Sequence, residues 1–271
     1  MTALRKLGLV LGAALVIVTG GIGVLFLTEP GGEPMAPMEL ATGAVTEEQL
    51  SRAAGQRVFF AHMSVGDDIL SGLQALYQAR KTNAPGIDRF AVGDAPAAVE
   101  PGTLVHTAIG ENGDPIGKLR HFDEAVRAGL GGSVDVAVLK FCYIDFDQDT
   151  DVDALFEEYL TTLNALERDY PKVTFLHATA PLTVGPSGVK QRLLGLLGRD
   201  DNRVREQYNT LMRGTFSSDR LFDIALLEHT ATQAGPEALD RGYSSDGAHL
   251  NETGSAVVAA GLVRLLAAVG S

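Results

Sequence analysis

The sequence has 271 residues, 45% hydrophobic and 21% charged, a balance that excludes a low-complexity or intrinsically disordered chain. Lys and Arg number 22 against 34 Asp and Glu, a formal charge of −12, so there is no overall basic surface for nucleic-acid phosphates. Cys142 is the single cysteine, which excludes an intrachain disulfide, a zinc ribbon and a Cys-x-x-Cys redox motif.

The chain opens with an uncharged run at 7–27 (LGLVLGAALVIVTGGIGVLFL), 21 residues, long enough as a helix to cross a hydrocarbon layer of about 30 Å. Arg5 and Lys6 precede it and, by the positive-inside rule, hold the N-terminus in the cytoplasm and send the rest of the chain outward. A cleaved signal peptide is the competing reading. The run exceeds the usual apolar region of about 7 to 15 residues, and no clear small-x-small site follows it. The expectation is a membrane anchor over 1–27 with a periplasmic or extracellular remainder, secreted if the segment is cleaved. Beyond the anchor, 20 basic face 34 acidic residues, a charge of −14, which stands off from anionic lipid. Residues 28–45 hold three prolines and three glycines and read as a flexible linker.

From Thr46 to Ser271, short β-rich runs alternate with helical patterns, as in a parallel α/β sheet. Five strands are expected, at 57–61 (RVFFA), 103–109 (TLVHTAI), 134–140 (VDVAVLK), 173–179 (VTFLHAT) and 220–225 (RLFDIA). Most are continuous apolar runs, the mark of strands covered on both faces. Helices are expected at 67–80, 115–128, 151–169, 202–214 and 252–268; in the last, Val257, Val258, Leu262, Leu265 and Leu266 recur at helical spacing. One three-layer α/β/α domain accounts for 46–271. In such a sheet, ligands bind outside the carboxyl ends of the strands, so chemistry is sought just after each strand.

After the first strand comes Ala61-His62-Met63-Ser64-Val65-Gly66-Asp67-Asp68, a polar turn into a helix. A serine here stands where helix-start N–H groups can stabilise an oxyanion. Ser64-x-x-Asp67 equally has the form of a capping box. Before the last helix the sequence reads Tyr243-Ser244-Ser245-Asp246-Gly247-Ala248-His249-Leu250-Asn251. Asp246 can accept the Nδ1 proton of His249 and leave Nε2 to take a serine proton. The competing reading is a polar turn that caps the last helix.

Together, the strand-Ser-helix start and the late Asp-x-x-His resemble the SGNH (GDSL-like) hydrolase superfamily, over roughly residues 55–268. The resemblance implies a five-stranded, flavodoxin-like α/β/α sandwich with Ser64 as nucleophile, His249 as general base and Asp246 as its orienting partner. Two departures stand out. His62-Met63-Ser64 replaces the usual Gly-Asp-Ser, and His62 either bonds near the site or fills the turn. In the Gly-x-Asn-Asp block, the register Cys142-Tyr143-Ile144-Asp145 puts Ile144 at the asparagine, where no side chain can donate to an oxyanion. Gly110, after the second strand, is the expected backbone donor by the same resemblance. Asn112 is the candidate for the missing amide, with Tyr143 and Lys140 as further substitutes; Asn112-Gly113 also reads as a plain turn.

Asp145, Asp147, Asp149, Asp151 and Asp153 alternate like a calcium loop but lack its Gly and final Glu, so a solvated loop is expected and no metal site. Cys142 reads as a small buried hydrophobe and His177 as a satisfied core residue. His106 and His121 sit in no partner motif. Residues 185–198 read as an insertion, either a lid or packing.

The expected function is a membrane-anchored serine esterase acting outside the cytoplasm on an acyl ester, by resemblance an acetyl ester of a cell-envelope carbohydrate. It needs no cofactor, and its partners are the small-molecule or carbohydrate ester and the membrane, with no nucleic acid. The alternatives are an O-acyltransferase with the same triad and a glycan-binding protein on a degenerate fold of this type.

Overall fold

The computed structural model describes residues 44–91, 93–185, 201–229 and 238–269. The expected anchor and all but the end of the linker lie outside these residues, as does the apolar stretch at 189–197. Among the described residues, no helix is long and apolar enough to cross a membrane.

In chain order the elements are α1 (Glu47–Ala54), β1 (Val58–His62), α2 (Val65–Arg80), β2 (Gly86–Arg89), β3 (Thr103–Ala108), α3 (Pro115–Arg127), β4 (Val136–Leu139), α4 (Val152–Asp169), β5 (Thr174–Ala178), α5 (Asp201–Thr215), β6 (Leu221–Phe222), α6 (Ile224–Leu227) and α7 (Glu252–Ala268). The helix starts follow from side chains that accept orphan N–H groups. Thr46 and Gln49 form a reciprocal capping box at α1. Asp114 accepts from Gly117 N–H ahead of α3, Asp151 from Ala154 N–H ahead of α4, and Asn251 from Gly254 N–H ahead of α7.

The sheet is parallel throughout, in the order β2-β3-β1-β4-β5-β6. Among the described residues it therefore has six strands, not five. The additional strand, β2 (GIDR), is an exposed strand at the sheet edge that, among the described residues, pairs with β3 alone, and its polar sequence lacks the apolar run that marks a covered strand. β6 is shorter than expected because Asp223 turns the chain into α6, its Oδ1 accepting from Leu226 N–H at 3.1 Å. Val45, at the end of the expected linker, is buried against the core.

Alternating strand residues feed two cores. Val58, Phe60, Val136, Val138 and Leu176 face α1, α2 and α7, whereas Phe59, Ala61, Ala137, Leu139 and Phe175 face α3, α4 and α5. This period of two gives each face its own apolar layer. β1 is followed by a helix on one face and its neighbour β4 by a helix on the other. The crevice between them is a topological switch point, where open α/β sheets bind ligands.

Candidate active site

Ser64 leaves β1 at the carboxyl edge, at the N-cap position of α2, yet its side chain makes no capping hydrogen bond. The hydroxyl is turned to His249 instead, with Ser64 Oγ 3.0 Å from Nε2. His249 Nδ1 lies 2.7 Å from Asp246 Oδ2. An ionised carboxylate only accepts, so the proton sits on Nδ1 and Nε2 is the acceptor for the serine hydroxyl.

Asp246 also grips the backbone of this turn, its Oδ1 accepting from Ala248 N–H at 2.9 Å and His249 N–H at 2.8 Å. The hydrogen bonds from the His249 backbone, the His249 ring and Ala248 hold the Asp246 carboxyl far below the usual carboxylate range. Neither Asp246 nor His249 caps α7; Asn251 does. The turn is carried to Ser64 because α7 packs along α2 so closely that a Cβ on Gly72 would lie 2.2 Å from Ser255 O. Asp68, in the first turn of α2, accepts from Leu250 N–H at 3.1 Å and pins the residue after the imidazole. The ring of Tyr143 stands edge-on to that of His249, with centroids 5.8 Å apart.

Pairing of β1 with β3 and β4 brings their following loops to the same edge. Gly110 follows β3 at φ +63°, and a Cβ there would lie 2.6 Å from Lys118 Cγ. Only glycine meets both conditions. Asn112 is exposed and its Oδ1 accepts from Lys118 Nζ at 3.3 Å, which leaves its NH2 group as the donor end. Ile144 is 48% exposed. Asp145, expected in a solvated loop, is buried in an ion pair with Lys118, because it faces the α3 amine rather than the acidic loop that follows. Lys140 is fully buried, its Nζ donating to Phe141 O at 3.2 Å, and burial lowers its pKa. Tyr143 is fixed by the buried Arg205, whose Nε donates to Tyr143 O at 2.7 Å.

His62 and His106, unpaired in the sequence reading, form a buried couple with His62 Nε2 2.9 Å from His106 Nδ1. His62 Nδ1 lies 3.1 Å from Met63 O, so both of its nitrogens are engaged. Burial lowers the His62 pKa to about 3. With Asp67 the pair gathers three potential ligand atoms within 4.8 Å. Two nitrogens on one tetrahedral ion would sit about 3.3 Å apart, so the spacing fits a shared proton better than a shared metal. Cys142 is buried. His177, also buried, bonds Tyr159 through Nδ1 at 2.9 Å.

A cleft of about 710 Å³ adjoins this edge, lined by Gly113, Ile116, Ile144, Asp147, Asp151 and Glu158 among others. It begins at the neighbours of Asn112 and Tyr143 rather than at Ser64. Asp68, Lys118, Arg205 and His106 were missed in sequence because each acts on a partner distant in the chain. Of these, only Asp68 stands where the sequence alone marks a favourable charge, in the first turn of a helix.

No protein-family model matches the sequence, and no curated protein matches it. Among solved structures, the chain is similar to a Streptococcus pneumonia protein provisionally described as a platelet activating factor, with 14% identity and a TM-score of 0.45, covering 74% of this chain and 92% of that one. It is also similar to a provisionally described lipolytic protein of the G-D-S-L family from Desulfitobacterium hafniense DCB-2, with 12% identity and a TM-score of 0.44, covering 77% of this chain and 99% of that one.

Proposed function

We propose that the protein is a serine esterase of SGNH type. The observation that carries this reading is the unbroken series Ser64 Oγ to His249 Nε2 at 3.0 Å and His249 Nδ1 to Asp246 Oδ2 at 2.7 Å, made by a helix-start serine that forgoes capping. Ser64 Oγ attacks the ester carbonyl carbon while its proton passes to His249 Nε2, and Asp246 stabilises the imidazolium. The tetrahedral oxyanion is held by Gly110 N–H and the Asn112 amide. Collapse expels the alcohol, which takes the proton from His249. Water then repeats the sequence on the acyl-enzyme and releases the acid. Tyr143 acts as a wall for the imidazole.

The carboxylates of Asp147, Asp149, Asp151 and Glu158 beside exposed Ile116 and Ile144 disfavour an anionic substrate. They suit a neutral ester such as an acetylated sugar. The apolar run at 7–27 with Arg5 and Lys6 before it supports an enzyme tethered to the membrane and facing outward.

Hydrolysis of p-nitrophenyl acetate and of a peracetylated neutral sugar by the full-length chain tests the proposal. Acetate release that disappears in His249→Ala, with cooperative unfolding retained, is the expected result. Turnover that survives the substitution contradicts it. Acetate appearing on an added sugar acceptor rather than free in solution would identify acyl transfer, which uses the same residues with a different acceptor.

A further inference from the structure

Lys118 and Asp145 are paired with no exposure of either side chain. Lys118 Nζ donates to Asp145 Oδ1 at 2.6 Å and to Oδ2 at 2.7 Å. Removing two charges from water is costly, and an apolar pair of similar volume commonly packs as well. The pair's other contacts show what the charges hold. Asp145 Oδ1 accepts from Gly113 N–H at 2.9 Å and Oδ2 from Cys142 N–H at 2.6 Å, so a single carboxylate ties the loop after β3 to the turn after β4. The ammonium carries three donors, and Nζ also reaches Asn112 Oδ1 at 3.3 Å. With its oxygen held by the lysine, Asn112 keeps its NH2 group as the donor end of the amide. The Lys118 stem lies directly against Gly110, where no Cβ would fit.

We infer that Lys118 and Asp145 are positioning residues that set both oxyanion donors, Gly110 through contact with the lysine stem and Asn112 through its amide oxygen. Together they supply the order that Ile144, which has no donor, cannot. This inference rests on the serine-esterase reading. It goes beyond that reading by assigning part of the catalytic rate to a fully buried ion pair outside the triad.

The test uses the full-length chain with p-nitrophenyl acetate. Lys118→Met/Asp145→Leu removes both charges at once and avoids stranding either in the core. The expected result is a cooperatively unfolding protein whose kcat falls about 10- to 1,000-fold while KM stays within about threefold. Adding Asn112→Ala to that variant is expected to cost little more, although Asn112→Ala alone lowers the wild-type rate strongly. Such non-additivity marks residues that act as a unit. A purely structural pair would leave the two losses independent, so losses that multiply overturn the inference, as does a wild-type kcat in the charge-free variant. If that variant fails to unfold cooperatively, Lys118→Arg replaces it, keeping the charge while changing the donor geometry. Lowered kcat at unchanged KM is expected there, and full activity overturns the inference. Wild type and Ser64→Ala run in parallel: turnover that is absent or independent of Ser64 overturns the esterase reading and this inference with it. Ser64-dependent turnover indifferent to the pair overturns this inference alone.

Discussion

Asp246 holds both the ring and the backbone of His249, and the two jobs separate in Asp246→Asn. An asparagine oxygen can still accept the Ala248 and His249 N–H groups, but its NH2 facing Nδ1 moves the ring proton to Nε2, the nitrogen that must receive the Ser64 proton. Because Asp246 is 54% exposed, stability is expected to change little while kcat on p-nitrophenyl acetate falls by about 100- to 10,000-fold. Steady-state kinetics beside a melting curve checks this; equal losses in both would assign Asp246 a structural role only. Its carboxyl lies below the usual range, so its contribution to stability is present above about pH 4 and lost only as pH falls further. The three residues of this series were legible in the sequence because two of them share one short turn and the third follows a strand. Lys118 and Asp145 were not, since their contact spans 27 positions and neither residue type announces a buried pair. His62 and His106, 44 positions apart, were illegible for the same reason.

The element that most constrains the site is the loop from β3 to α3. Gly110 combines φ +63° with a Cβ position 2.6 Å from Lys118 Cγ, so Gly110→Ala is expected to destabilise the fold by more than about 1 kcal/mol and to lower kcat by displacing the loop. Denaturant melts with esterase assays check it, and a variant as stable and active as wild type would show that the loop tolerates the methyl. Most elements could be read from apolar periodicity. The helix at Glu252–Ala268 matches its expected bounds, since Asn251 caps its start and small and apolar residues fill its buried face. α1 and the edge strand β2 escaped notice: α1 is a short polar helix ended by Gly55, and β2 is paired on one side and exposed, so neither carries a continuous apolar run.

At the scale of the whole molecule, buried titratable groups set how stability depends on pH. Burial depresses His62 and His177 to about 3, so both are neutral when folded. The unfolded chain, with imidazoles near about 6.5, binds more protons, and stability falls as pH drops from about 6.5 towards 3. Glu228 acts in the opposite direction. It is buried, accepts from Leu182 N–H at 2.7 Å, and burial pushes its pKa up to about 8. The folded chain keeps a proton that the unfolded chain has released, and stability is lost as pH rises from about 4.5 to 8. Glu228→Gln removes that proton linkage. Its Tm relative to wild type is expected to climb by on the order of 5 °C between pH 5 and pH 8, read by differential scanning calorimetry. A difference that does not vary with pH would show that Glu228 does not titrate in this window. Ser64 is proposed to be an activated nucleophile, and intact-mass analysis of the full-length chain after exposure to a fluorophosphonate reads that activation. One covalent adduct in wild type, absent in Ser64→Ala, is the predicted result; no adduct, or one that persists in Ser64→Ala, would contradict it.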